Sequence, residues 1–170
     1  MDAPPDRADE VRPPPRGLLD DGQRAVVRGL ADGLTLEAVA QHLGLGIYAV
    51  QSRFEKARRA LGCCPHGTGE AVAIAYARGE LPLPTRSTRP FELSLAEHTV
   101  IRPMAEGRPV QEIAARTHQP LAVARRRVRG LWERMGATNR AHAVTQAYAL
   151  RLVPSDLMPR QHPSRPARRR

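Results

Sequence analysis

Residues 19–62 and 93–136 are two versions of one pattern that superimpose without a gap at a shift of 74. Leu19 falls on Leu93, Val26 on Val100, Arg28 on Arg102, Ala31 on Ala105 and Gly33 on Gly107; Ala40 then falls on Ala114, Arg53 on Arg127 and Gly62 on Gly136. Beyond that glycine the first copy holds two extra residues, and the shift becomes 72. EAVAIAYARGEL (residues 70–81) then lies over HAVTQAYALRLV (residues 142–153), with Tyr76 on Tyr148. Identity is low, but apolar positions agree nearly throughout. Such a repeat is decisive for the fold, because it fixes the building unit before any single element is assigned.

Each copy predicts four short helices. Ser94-x-x-Glu97 opens the second copy as a capping box, and Asp20-x-x-Gln23 does the same in the first. Val26, Val27 and Leu30 form the inward stripe of helix one, which Gly33 ends. Thr35 caps helix two, which offers Leu36, Val39, Ala40 and Leu43 for burial, and Gly44 permits a tight turn. Val50, Phe54, Ala57 and Leu61 lie on one face of helix three, and helix four is Ala-rich. No period-two run of any length is present. The fold class is all-α.

Proline and charge mark the boundaries. We expect a disordered Pro-rich N-terminus over residues 1–17, copy one over 18–81, a Pro-rich linker over 82–92, copy two over 93–153, and a disordered basic tail over 154–170 ending in Arg168, Arg169 and Arg170. Residues 1–84 carry 10 basic and 11 acidic side chains, whereas residues 85–170 carry 17 and 6. A basic half of this kind suits a polyanion, with nucleic acid first and an anionic membrane second.

Other classes drop out. The longest wholly apolar stretch, Ala71 to Ala77, is far short of the roughly 18 residues of a membrane span. MDAPPDRADE has no apolar core and is no secretory signal, so a cytoplasmic, nucleoid-associated location is expected. Cys63 and Cys64 are adjacent and the only cysteines, which excludes a disulfide framework. Together with His66 they hint at a metal site, but no second ligand cluster has zinc spacing and the core reading of Cys63 prevails. Six aromatic residues are too few for a single-strand stacking platform, and Trp132 with Val128 and Met135 reads as core. No nucleophile–base arrangement, carboxylate pair or Gly-rich phosphate loop can be assembled, so no enzyme and no cofactor are expected.

Helix two, the turn and helix three carry the spacing Ala40-x3-Gly44-x5-Val50, which gives a helix-turn-helix its small contact residue, its positive-φ turn and its buried anchor. With the capped helix ahead and the Ala-rich helix behind, residues 18–62 and 70–81 resemble the LuxR/GerE-type DNA-binding domain. Residues 93–153 resemble it in their opening and their TNRAHAV ending. The two resemblances cover about three-quarters of the chain, and VQSRFEKARRALG is also similar to sigma-factor region four.

The resemblance implies tandem four-helix domains in which helix three enters the major groove and helix four makes a dimer contact. By position it implies DNA contacts from Thr35, Tyr48, Gln51, Ser52 and Lys56 in copy one. In copy two the corresponding face carries Arg125 and Arg126, with Arg127 and Arg129 alongside. Gln51 is suited to adenine, and Arg125 or Arg126 to guanine.

Copy two departs from the pattern. His118, Gln119 and Pro120 replace the glycine turn, Ala124 replaces the Val50 anchor, and Pro103 within helix one predicts a kink. These changes place base reading by copy two in question but not its affinity for phosphates. The expected function is a DNA-binding transcriptional regulator of duplex DNA. The competing class is an interaction module, a decayed helix-turn-helix pair that contacts RNA polymerase or another regulator. Val72, Ala75 and Tyr76 are placed to meet Val144, Ala147 and Tyr148 as an internal pseudo-dimer within a monomer, the alternative being a homodimer.

Overall fold

Four helices open on a side-chain cap in the computed structural model, which describes residues 17–64 and 67–153. The expected Pro-rich N-terminus, His66 and the Arg168–Arg170 tail lie outside these residues, apart from Gly17. Helix α1 (Asp21–Ala31) starts in a capping box: the Gln23 N–H donates to Asp20 Oδ1 at 2.7 Å and the Asp20 N–H donates to Gln23 Oε1 at 3.3 Å. Helix α5 (Leu95–Ala105) repeats the device with Ser94 and Glu97. Thr35 caps α2 (Leu36–Leu43) by accepting from the Ala38 N–H at 3.2 Å. Asn139 caps α8 (Arg140–Ala149) by accepting from the His142 N–H at 2.9 Å.

The remaining helices are α3 (Ile47–Leu61), α4 (Thr68–Ala77), α6 (Val110–Arg116) and α7 (Leu121–Met135). No strand occurs among the described residues. Pro103 lies in the last turn of α5, so it forfeits only the bond to the Thr99 carbonyl and the helix continues to Ala105.

Packing follows the repeat. Helix α1 contacts α2, α3 and α4, and α5 contacts α6, α7 and α8. The most extensive helix pair is α4 against α8, and α1 also reaches α8. Both α4 and α8 are buried on most of their circumference: Ala71, Val72, Ala73, Ala75 and Tyr76 on one, Ala141, Ala143, Val144, Ala147 and Tyr148 on the other. A helix that is apolar all round belongs in an interior, and alanine lets two such helices approach closely. One continuous core therefore runs through both four-helix units.

The contacts between the units are reciprocal. Gly33, just past α1, lies against the start of α8, where Thr138 Oγ1 and Asn139 Nδ2 donate to its carbonyl at 3.1 and 2.9 Å. Gly107, its equivalent past α5, lies against the start of α4, where a Cβ on Gly107 would fall 2.1 Å from the Gly69 carbonyl carbon. Reciprocity of this kind is what a twofold relation produces.

Two features differ from a simple tethered pair. Residues 82–92 are not a free tether: the Ser87 N–H donates to the Ala149 carbonyl at 2.9 Å, and Leu83 and Phe91 pack on the core. Arg89 and Arg134 lie over the Phe91 ring, 5.6 and 4.9 Å from its centroid. Arg89 also donates to the Arg134 carbonyl, and Arg134 to the Glu92 carbonyl and the Glu97 carboxylate. At the other end, buried Glu80 accepts from the Leu18 and Leu19 N–H groups at 2.6 and 3.3 Å and pairs with Arg24 at 3.3 Å, closing unit one.

Candidate nucleic-acid interface

The α2–α3 corner is built as the spacing predicts. Ala40 is buried where the helices approach, and Val50 is wholly buried as the anchor. Gly44 takes φ 64°, and the Leu45 N–H returns to the Ala40 carbonyl at 2.9 Å. The α6–α7 corner reaches the same conformation from different residues. His118 adopts φ 51° where Gly44 stands in unit one, and the Gln119 N–H returns to the Ala114 carbonyl at 3.0 Å. Ala124 is wholly buried in the Val50 position. The substitutions in the turn thus leave the angle between the two helices buildable, at the cost of a non-glycine residue in the left-handed region.

The outward face of α3 presents Tyr48, 84 % exposed, together with exposed Gln51, Ser52 and Lys56. Thr35 is exposed at the start of α2, although its hydroxyl oxygen is engaged in the cap. Glu55 and Arg58 on the same helix pair with each other at 2.7 Å. On α7, Arg125, Arg126 and Arg129 are exposed and make no ion pair or hydrogen bond among the described residues. Arg127 is different. It is half-buried and donates to Gln119 Oε1 at 2.7 Å, while Gln119 Nε2 donates to Thr99 Oγ1 at 3.3 Å. This chain ties α7 to its turn and to α5 and engages one nitrogen of the Arg127 guanidinium.

Elsewhere in unit two the charges are largely neutralised. Arg116 pairs with Glu106 and Glu112 at 2.8 and 2.9 Å, and Arg108 pairs with Glu70 across the units at 3.2 Å. Three unpaired cations of this unit's helix surface, Arg125, Arg126 and Arg129, therefore lie together on α7, with the exposed carboxylate of Glu133 one turn beyond Arg129. Sequence charge counts could not separate paired from unpaired arginines.

Titratable groups report burial more than chemistry. Burial, reinforced by Glu70, pushes the Cys63 thiol up to about 11, and Cys64 beside it is exposed. Burial pushes Tyr148 up to about 12 with Tyr76 contributing, and Tyr76 is itself raised by burial. Burial holds His142 below the ordinary imidazole range, partly opposed by Asp32. For Glu97, burial works upward but hydrogen bonds from Arg134 and Ser94 outweigh it, and its carboxyl sits below the usual range. Among the described residues no three His, Cys, Asp or Glu side chains converge as a metal site, and no helix is long and apolar enough to cross a membrane. Trp132 is half-buried beside buried Val128 and Met135, with one side turned to a groove rather than wholly in the core.

No protein-family model, curated protein or solved structure matches the chain.

Proposed function

We propose that the chain is a transcriptional regulator that binds duplex DNA through α3 and α7, the third helices of two tandem helix-turn-helix units. The observation that carries this reading is the set of three unpaired guanidinium groups, Arg125, Arg126 and Arg129, on the exposed face of the second helix of a tight helix–turn–helix corner. Arginine suits both phosphate and guanine because its planar fork donates two hydrogen bonds at once. The matching face of α3 offers Tyr48, Gln51, Ser52 and Lys56, a weaker electrostatic surface with one side chain, Gln51, suited to adenine. Thr35 lies at the start of α2, where a helix N-terminus favours a phosphate.

The reciprocal packing of α4 on α8 supports one chain acting as its own pseudo-dimer, since the helix-four faces that the LuxR/GerE resemblance assigns to a dimer contact are already occupied by each other. A twofold operation keeps equivalent points at equal height along its axis, so it sets α3 and α7 at one level. On this reading they address adjacent half-sites about 10 base pairs apart, and the half-sites differ because Gln51 and Arg125 differ.

Selection of bound sites from random duplexes tests the function. We expect an unsymmetrical motif of two half-sites and a preference over bulk DNA of at least about a thousandfold. Recovery of no motif, with binding erased by moderate salt, would leave only loose nucleic-acid contact. Sedimentation on a minimal duplex tests the pseudo-dimer, where one chain per site is expected.

A further inference from the structure

Between the outward face of α7 and the start of α6 lies an open groove of about 450 Å³, lined by Val110, Arg125, Arg126, Val128, Arg129 and Trp132. That volume falls in the range of small-ligand sites, about 300–1,000 Å³. Unit one has a groove at the same place, about 420 Å³, lined by Leu36, Gln51, Phe54, Glu55 and Thr68. Under the shift of 74, Leu36 corresponds to Val110, Gln51 to Arg125, Phe54 to Val128 and Glu55 to Arg129. The fold makes the groove in both units; the side chains decide what fits it. Unit one places a carboxylate where unit two places a guanidinium. It also places Arg58, already paired with Glu55, where unit two places Trp132.

We propose that the α6–α7 groove is a binding site for a small aromatic acid, its ring against Trp132 and Val128 and its carboxylate on the guanidinium groups of Arg125, Arg126 and Arg129. Two observations select this chemistry. The wall is apolar and includes an indole, which stacks on flat rings better than on aliphatic chains. The rim carries three cations with no internal partner, so charge complementarity calls for an anion. A bare phosphate would leave the apolar wall unused, and a neutral ring would leave the arginines unused. The site stands without the DNA reading. If that reading holds, the same three arginines serve both partners, and acid and duplex compete.

Trp132 is the only tryptophan in the chain, so its emission reports on this groove. The full-length protein is titrated with 4-nitrobenzoate, whose electron-poor nitroaromatic ring quenches indole emission on contact, and in parallel with neutral 4-nitrobenzamide and with acetate. Saturable quenching by the benzoate is expected, with binding of the amide at least about tenfold weaker and no displacement by equimolar acetate or inorganic phosphate. Arg126→Gln and Arg129→Gln, both at exposed positions, should each weaken the benzoate severalfold, while Arg28→Gln on α1 leaves it unchanged. Linear, non-saturating quenching, equal binding of acid and amide, or full displacement by phosphate overturns the proposal, as does insensitivity to both arginine variants. A duplex-binding measurement on the same samples separates the two readings: saturable quenching without DNA binding sinks the regulator and keeps the acid site, and the reverse result does the opposite.

Discussion

The rings of Tyr76 and Tyr148 lie against each other across the boundary between the two units, with centroids 4.9 Å apart and planes inclined by 38°. The Tyr76 hydroxyl also shares a 3.2 Å hydrogen bond with Thr145 Oγ1. Both residues sit on the helix pair that joins the units, so this contact measures how far the units fold as one. Tyr76→Phe should cost about 1 kcal/mol, the worth of one buried hydrogen bond, and Thr145→Val a similar amount. The double variant should cost clearly less than the two together. Strict additivity in denaturant unfolding would show that the bond contributes nothing across the boundary.

Gly107 should be far less replaceable than its neighbours in conformation. It and Gly136 share a left-handed backbone, with φ of 73° and 74°. A Cβ on Gly136 meets open space, whereas one on Gly107 would fall 2.1 and 2.2 Å from backbone atoms of Gly69 and Glu70. Gly136→Ala should cost about 1–2 kcal/mol, the penalty of an L-residue in that region. Gly107→Ala must also push the units apart, and a markedly larger drop in the urea midpoint is expected. Equal midpoints for the two variants would mean that α4 and the α5 terminus are not in contact.

Acid should weaken the fold in two stages. His142 is depressed in the folded state, so its contribution is complete above the unfolded imidazole value of about 6.5 and is lost as pH falls from there through the folded value. Glu97 is likewise depressed, so its contribution is complete above about 4.3 and fades only below that. His142→Asn should remove the upper stage from a plot of stability against pH, and Glu97→Gln the lower one. A wild-type plot that is flat from pH 7 to pH 5 would contradict the His142 assignment.

On the proposed function, the arginines of α7 and the glutamine of α3 should fail differently. Arg126→Gln should weaken binding to all duplexes, and if its contact is a phosphate it should reduce the salt slope by about 1. Gln51→Ala should leave the slope unchanged and relax preference at one or two base pairs, by about 1–3 kcal/mol. Arg127→Gln should instead lower stability, because it breaks the link to Gln119. Binding isotherms at several salt concentrations, beside melting curves, separate the three.

Local chemistry was legible in the sequence because its partners are close along the chain. Asp20 with Gln23, Ser94 with Glu97, and the Val50–Phe54–Ala57–Leu61 stripe all lie within a turn or two of their partners. The repeat also located the face that joins the units, since Tyr76 and Tyr148 are equivalent under it. What escaped notice depends on distant pairs. Asn139 reaches the Gly33 carbonyl from 106 residues away, and Glu80 closes on Leu18 from 62. No periodicity marks such partners. The Pro-rich stretch reads as a linker, and its composition does not show that Phe91 packs on the core beneath two arginines. Arg127 stands alongside the outward positions in the sequence, and only its partner in the turn, Gln119, shows that it is held.

The pairing of α4 with α8 has a consequence for dosage. Two separate chains joining through such a face form a complex whose amount grows with the square of their concentration when dilute. Here the partner is always supplied by the same polypeptide, at an effective concentration that expression level does not change. The paired form therefore rises in simple proportion to the amount of protein, and it persists even when a cell holds only a few copies. Substitutions also behave differently: a change in α4 appears once rather than twice, so α8 is free to compensate for it, and the two halves are free to specialise without ever losing each other.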